Sequence, residues 1–227
     1  PDPRLPGTLP EVAKEIEALG RRAVWVQTDV RFEDQIARMV SEADRVFGRV
    51  DILVNNAGAL FWAPVAETPV KRFDLVLAVN VRAAFIAARE CLPLMQRGGW
   101  GHVVNMSPPI RPEAAAGKVA YLTGKYGMTL LTYGLAAELD GTNVAVHSLW
   151  PACVLETAAT IHFGLGSPET WRKPDILADA TLALVGKEPS LRTGKVWLDE
   201  EVLAADGITD FDRYACVPGG QPLRLEF

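Results

Sequence analysis

Asn80, Ser107, Tyr121 and Lys125 have the types and spacings needed to move a proton beside a carbonyl group. Ser107 follows His102-Val103-Val104-Asn105-Met106, a largely apolar run that reads as a buried strand of a parallel sheet. Tyr121 and Lys125 stand four residues apart at the start of a long helical pattern, so their side chains share one helix face. A serine at a strand end and a Tyr/Lys pair on the next helix can converge on one point. There an ammonium favours the phenolate, and a hydroxyl can hold a substrate oxygen. Each part also has a plainer use: a core tyrosine beside a solvated lysine, or a serine closing the loop after its strand.

The elements that must position these residues alternate between strand and helix. Thr8 with Glu11 is a capping-box signature and Pro10 suits a first turn, which predicts a helix to Leu19 ended by Gly20. A strand is expected over Ala23–Thr28 and an amphipathic helix over Phe32–Phe47, ended by Gly48. A strand over 51–55 precedes a long helix from Val70 to Leu92, stopped by Pro93. The strand 102–106, a helix over 118–139, a strand over 143–149, a helix over 174–186 and a strand over 195–198 follow. The stretch 152–173 reads as mostly loop and the tail 200–227 as mostly irregular. This order predicts an α/β fold, a doubly wound parallel sheet covered on both faces, in a single domain over 1–227.

Composition narrows the function classes. A chain of 227 residues with 49% hydrophobic and 22% charged residues has ordinary globular proportions. A net charge of −5 argues against a nucleic acid or an anionic membrane as partner, and no apolar run is long enough for a membrane span. Cys91, Cys153 and Cys216 are far apart and without metal-ligand spacing, so free thiols in a reducing compartment, the cytoplasm, are expected. His147 and His162 likewise have no metal partners in spacing, so no metal site is expected.

Asn55-Asn56-Ala57-Gly58 directly follows the strand Asp51-Ile52-Leu53-Val54. With Asn80, Ser107 and Tyr121-x-x-x-Lys125, this set resembles the short-chain dehydrogenase/reductase family from about residue 7 to about residue 199. Pro6-Gly7-Thr8, Ser107-Pro108-Pro109, Leu149-Trp150-Pro151 and Phe211-Asp212-Arg213-Tyr214 further resemble its hydroxysteroid dehydrogenase-like branch, here without the lipid-binding (sterol carrier) domain some members append. The resemblance implies an NAD- or NADP-dependent oxidoreductase interconverting an alcohol and a ketone or aldehyde. Tyr121 is then the general acid/base, Lys125 lowers its pKa and reaches the nicotinamide ribose, and Ser107 orients the substrate oxygen. Asn80 either holds a water in a proton relay or satisfies a helix irregularity locally.

On the cofactor side the resemblance implies Asp29 and Val30 near the adenine, Asn55, Asn56, Ala57 and Gly58 near the adenosine ribose, and Val154 and Thr157 near the nicotinamide amide. Asp29 reads equally well as the N-cap of the following helix. Ala152 stands where the family has glycine. Ile161, Phe163, Leu165 and Trp171, with Phe61 and Trp62 nearby, either cover an apolar substrate or pack on the domain body or a partner subunit. The family's opening strand, glycine-rich turn and helix find no counterpart before residue 48, where the only glycines are Gly7 and Gly20. The start at Pro1 beside intact downstream motifs leads us to expect a missing leading segment rather than a degenerate fold. The residue that selects NAD or NADP would lie in it. The apolar content of residues 70–92 goes beyond one stripe and predicts a homodimer or homotetramer through this helix, with Val76, Val79 and Ile86 as candidate contacts. A nucleotide-binding protein without useful turnover, acting through a partner surface, is the competing reading.

Overall fold

The computed structural model describes residues 7–225. Four parallel strands, β1 (Ile52–Asn55), β2 (Gly101–Met106), β3 (Val144–Trp150) and β4 (Lys195–Leu198), lie side by side in that order. Parallel neighbours require crossover connections, and helices supply them. The helices are α1 (Leu9–Ala18), α2 (Glu33–Phe47), α3 (Val70–Leu77), α4 (Ala83–Gly98), α5 (Val119–Glu138), α6 (Ala158–His162), α7 (Asp175–Val185) and α8 (Asp199–Ala205), of which α3 and α4 join β1 to β2, α5 joins β2 to β3, and α6 and α7 join β3 to β4. The register sets Asn55 beside Asn105 and Asn105 beside Ser148, so one row of polar residues crosses β1, β2 and β3.

Both faces of the sheet are covered over β2 and β3, whose residues are all buried. On one face Val103 and Val146 pack with Val40 of α2, Cys91 and Met95 of α4 and Leu135 of α5. On the other, Val104, Met106 and Leu149 pack with Ile176, Ala180 and Leu184 of α7 and Val202 and Leu203 of α8. The tail beyond residue 200 is therefore less irregular than expected, because α8 completes the second face. Strand β1 is the exception: Ile52 and Val54 remain 42% and 41% exposed.

Two expected elements change. Residues 23–28 make no strand ladder, and Trp25 is half exposed. An extended segment needs a neighbouring strand to pair its backbone groups, and among the described residues none reaches it. The long helix does not stop at Pro93. It runs as α3, a π-helical turn over Ala78–Arg82, and α4, which contains Pro93 and is capped by Gly99. An internal proline costs ~3 kcal/mol, but the fully buried Cys91 and Met95 on either side of it anchor the helix to the core. Close approach of this helix to α5 depends on Gly127, where a Cβ would lie 2.8 Å from Val81 Cγ2.

Candidate active site

Tyr121 and Lys125 sit in the first two turns of α5, buried to 7% and 5% exposure. Together with Asn56, Leu60, Trp62, Met106, Trp150, Val154, Thr157, Leu165 and Leu225 they line a cavity of about 270 Å³ at the carboxyl ends of β2 and β3. Its walls are mainly apolar. The Trp62 ring meets Tyr121 edge-on at 6.2 Å, and the Lys125 ammonium lies 5.2 Å from the Trp150 ring centre while donating to the Met106 carbonyl at 2.7 Å.

Burial in this apolar lining disfavours charge on either group. It holds the Tyr121 phenol well above its ordinary range and pulls the Lys125 ammonium down to about 8. Loss of hydration therefore outweighs the phenolate-favouring influence expected of the lysine. Tyr121 is a protonated acid at neutral pH, and Lys125 remains mostly cationic.

Ser107 does not line this cavity. Its side chain is fully buried, and its hydroxyl oxygen lies 2.8 Å from that of Ser148. Ser148 in turn lies 2.8 Å from Thr132 Oγ1, which accepts from Asn105 Nδ2 at 2.9 Å. Asn105 Oδ1 accepts from Asn55 Nδ2 at 2.8 Å. The result is a continuous buried chain of five side chains from the last residue of β1 to the residue that follows β2.

Asn80 occupies the π-helical turn and clamps Ala59 from both sides, accepting from its N–H at 2.7 Å and donating to its carbonyl at 3.1 Å. A π-turn at such a place marks where a helix has been adjusted to present a side chain. A Cβ at Gly58 would lie 3.7 Å from both Asn80 Oδ1 and Lys125 Nζ. The turn after β1, the π-turn and α5 thus meet around Gly58.

A second cavity of about 160 Å³ is lined by Val30, Asn55, Asn56, Ala57, Val79 and Asn80, among others. Asn56 belongs to both cavities, so nearly all the residues expected on the cofactor side lie along two adjoining cavities. Gly58 lines neither cavity, and Asp29 lies elsewhere. It is bound by the Arg31 guanidinium at 2.5 Å, which holds its carboxyl at about 2, and it faces Gln27, Asp34 and Arg38 instead. It is not the N-cap either: that position belongs to Phe32, and Asp29 makes a local turn by accepting from Arg31 N–H.

Thr157 caps α6, and Val154 is buried beside it. Of the expected covering residues, Leu165 and Trp62 line the cavity. Ile161 and Phe163 face outward at 58% and 48% exposure, Trp171 is buried and donates to Leu165 O at 2.7 Å, and Phe61 stacks with Arg72. Sequence reasoning missed Met106, Trp150 and Leu225. Leu225 reaches the cavity because the tail pairs with the loop after β3: Val154 N–H donates to Leu223 O and Leu225 N–H to Ala152 O. Ala152 is held from its other side by the buried Asp199 carboxylate. No local sequence signal announces such a pairing. Among the described residues there is no cluster of groups that could hold a metal ion, and no helix long and apolar enough to cross a membrane.

Residues 4–164 match the family model described as short chain dehydrogenase. Hydroxysteroid dehydrogenase-like protein 2 of Homo sapiens and that of Xenopus tropicalis are each 40% identical over 99% or more of this chain. The chain spans about half the length of these curated relatives (54% in both). A solved structure from Xanthomonas campestris superposes with a TM-score of 0.94 at 37% identity, over 100% of this chain and 84% of its own. A short chain dehydrogenase of Mycobacterium thermoresistibile gives 0.92 at 38% identity, over 99% and 81%. With the sheet, the Tyr-x-x-x-Lys helix and the Asn-Asn-Ala-Gly turn in place, the chain belongs to the short-chain dehydrogenase/reductase family.

Proposed function

We propose that this protein is an NAD(P)-dependent oxidoreductase that interconverts an alcohol and a ketone or aldehyde. The observation that carries this reading is the convergence of Tyr121 and Lys125 with Asn56, Val154 and Thr157 on one small apolar cavity. In reduction, Tyr121 donates its phenolic proton to the carbonyl oxygen, a task for which its protonated state suits it. Lys125, anchored on the Met106 carbonyl, supplies the positive charge that stabilises the phenolate once the proton has left. Trp62, Trp150 and Leu165 exclude water and hold the apolar part of the substrate.

The residues also fit a nicotinamide dinucleotide. Val30, Asn56, Ala57, Gly58, Val154 and Thr157 would hold it, and when bound it supplies or accepts the hydride. Asn80 fixes the turn that meets it by clamping Ala59. Ser107 serves as a positioning residue at the end of the buried polar chain. The choice between NAD and NADP is open to direct titration. Family relatives support a homo-oligomeric assembly and a small-molecule substrate.

A second reading, nucleotide binding without useful turnover, draws on the sequestered Ser107 hydroxyl, which leaves the cavity without that donor. Fluorescence titration with NADH and NADPH, followed by turnover assays on a panel of aldehydes, ketones and alcohols, separates the two. Binding with turnover lost in Tyr121→Phe supports the enzyme. Binding with no turnover on any member supports the second reading.

A further inference from the structure

Beyond the catalytic cavity lies a wider opening of about 950 Å³, and the two share Trp62, Val154, Leu165 and Leu225. These four side chains stand where one space passes into the other, and they come from four separate stretches of chain. Trp62 belongs to the loop after β1, Val154 to the loop after β3, Leu165 to the loop after α6 and Leu225 to the tail.

One hydrogen-bond network fixes the last three. Leu225 N–H donates to Ala152 O at 2.9 Å and Val154 N–H to Leu223 O at 2.8 Å, so tail and loop pair antiparallel around Cys153 and Arg224. Leu223 N–H reaches Thr170 O at 2.9 Å and Gln221 N–H reaches Glu169 O at 2.8 Å, which ties the same tail to the far end of the loop. Val154 O accepts from Arg172 N–H at 2.9 Å, and Leu165 O from the Trp171 indole at 2.7 Å. Two neighbouring carboxylates anchor the pairing: Asp199 accepts from Ala152 N–H at 2.9 Å, and Glu200 binds both Arg172 and Arg224. Gly220 lets the tail cross so closely, since a Cβ there would lie 2.7 Å from Glu169 O.

Resting on the oxidoreductase reading above, we infer that these four residues form a threshold that selects substrates by girth, with Leu225 as its specificity-determining residue. Slim, unbranched apolar alcohols and carbonyls pass it; branched or polycyclic ones do not. A slim chain can place its reacting carbon beside Tyr121 while its body runs through the threshold into the opening. A bulky body has to push aside side chains whose backbones are pinned, and overpacking of that kind is costly. Leu225 sets the width from a segment that contributes no group to the proton transfer, and it packs on the cluster of Tyr121 and Trp150.

The test uses the full chain and its own fluorophores, because Trp62 and Trp150 line the chamber. Octanol and adamantanemethanol, one slim and one bulky, are titrated and followed by tryptophan fluorescence. The wild type should bind octanol at least about tenfold tighter, a ratio within reach of an apolar pocket. Leu225→Ala should bring the two affinities to within about threefold by gaining affinity for adamantanemethanol, a gain that unfolding cannot produce. Leu165→Ala, on a different segment, should move the ratio the same way and serves in its place if the melting temperature shows Leu225→Ala to be unfolded. No binding of octanol, equal wild-type affinities, or a ratio that Leu225→Ala leaves unchanged would overturn the assignment. A turnover arm compares octanal with adamantanecarbaldehyde in the presence of NADH or NADPH. Reduction with a selectivity that neither variant changes removes the threshold but keeps the enzyme. Girth-dependent binding with no reduction of either aldehyde keeps the threshold but removes the enzyme.

Discussion

The Ser107 and Ser148 hydroxyl oxygens lie 2.8 Å apart inside the protein, one just past the end of β2 and the other on β3, and Ser107 does not line the cavity that holds Tyr121. The consequence is a specific kinetic pattern. Losing a donor to the reacting oxygen costs ~100- to 1,000-fold in kcat, whereas losing one link of a buried polar chain costs ~1–3 kcal/mol of stability. Ser107→Ala and Ser148→Ala should therefore both lower the melting temperature and each reduce kcat by less than about tenfold. In the double variant the stability losses should not add, because the two residues share one bond. A hundredfold loss of kcat in Ser107→Ala alone, with Ser148→Ala normal, would return Ser107 to the substrate.

Tyr121→Phe keeps the ring, its packing and its contact with Trp62, and removes only the transferable proton. Turnover should fall by ~100- to 10,000-fold, while NADH or NADPH affinity stays within a few-fold. Retention of full activity would sink the acid/base assignment.

Lys125 gives the pH dependence of the same step. Its ammonium titrates at about 8, lowered by burial, so it is charged below that pH and neutral above it. If the positive charge stabilises the phenolate, carbonyl reduction should be fastest below pH 8 and decline as pH rises through it. Lys125→Arg, charged throughout, should move the declining limb upward. Lys125→Ala should weaken both turnover and nucleotide binding. A rate that is flat from pH 7 to 9 in the wild type would argue against a role for that charge.

What the sequence disclosed and what it hid differ in range. Thr8 and Glu11 lie within one turn of each other, and the structure places Thr8 as the N-cap of α1. Tyr121 and Lys125 are likewise local, four residues apart on α5. The side-chain direction of Ser107 instead depends on Ser148, 41 residues away, and on Thr132 beside it, so no local pattern encodes it. Pro93 misled because packing of Cys91 and Met95 overrides its local preference. Residues 23–28 misled in the opposite sense: their β-forming composition is real, but a strand exists only with a partner. The wall formed by Leu225 rests on pairing between the tail and the loop after β3, a contact with no signature in either segment.

Acid sensitivity should come from a histidine pair on the α7 side of the sheet. His102 Nε2–H donates to Lys187 O at 3.1 Å, which leaves His102 Nδ1 to accept from His147 Nε2–H at 3.1 Å. His147 Nδ1 is buried with no partner among the described residues. Burial, helped by the neighbouring His102 and Arg192, pulls His147 down to about 3. A folded-state pKa below the unfolded value gives stability that is complete above about pH 6.5 and is lost as pH falls towards 3. At pH 5 the loss from His147 should be ~2 kcal/mol, at 1.36 kcal/mol per unit. His147→Gln, which retains an N–H donor, should lose that much less stability between pH 7 and pH 5 than the wild type. Parallel losses in the two proteins would rule the pair out as the source.

The expected intersubunit contact must be redrawn from exposure. Val76 and Ile86 are buried at 1% and 3%, and Val79 lines the second cavity, so none of the three presents a free apolar face. Exposed apolar side chains on these helices include Phe85 of α4, at 52%, and Leu130 and Tyr133 of α5, at 65% and 45%. A charge forced into a buried interface without a partner costs several kcal/mol, enough to separate a moderate assembly. Phe85→Glu and Leu130→Glu should therefore convert a dimer or tetramer to monomers in light scattering, without lowering the melting temperature of the isolated subunit. Val76→Glu should instead unfold it, because Val76 lies in the core against Gly124 of α5. A wild type that is monomeric at micromolar concentration would refute the interface. An oligomer that survives both surface substitutions would move it away from α4 and α5.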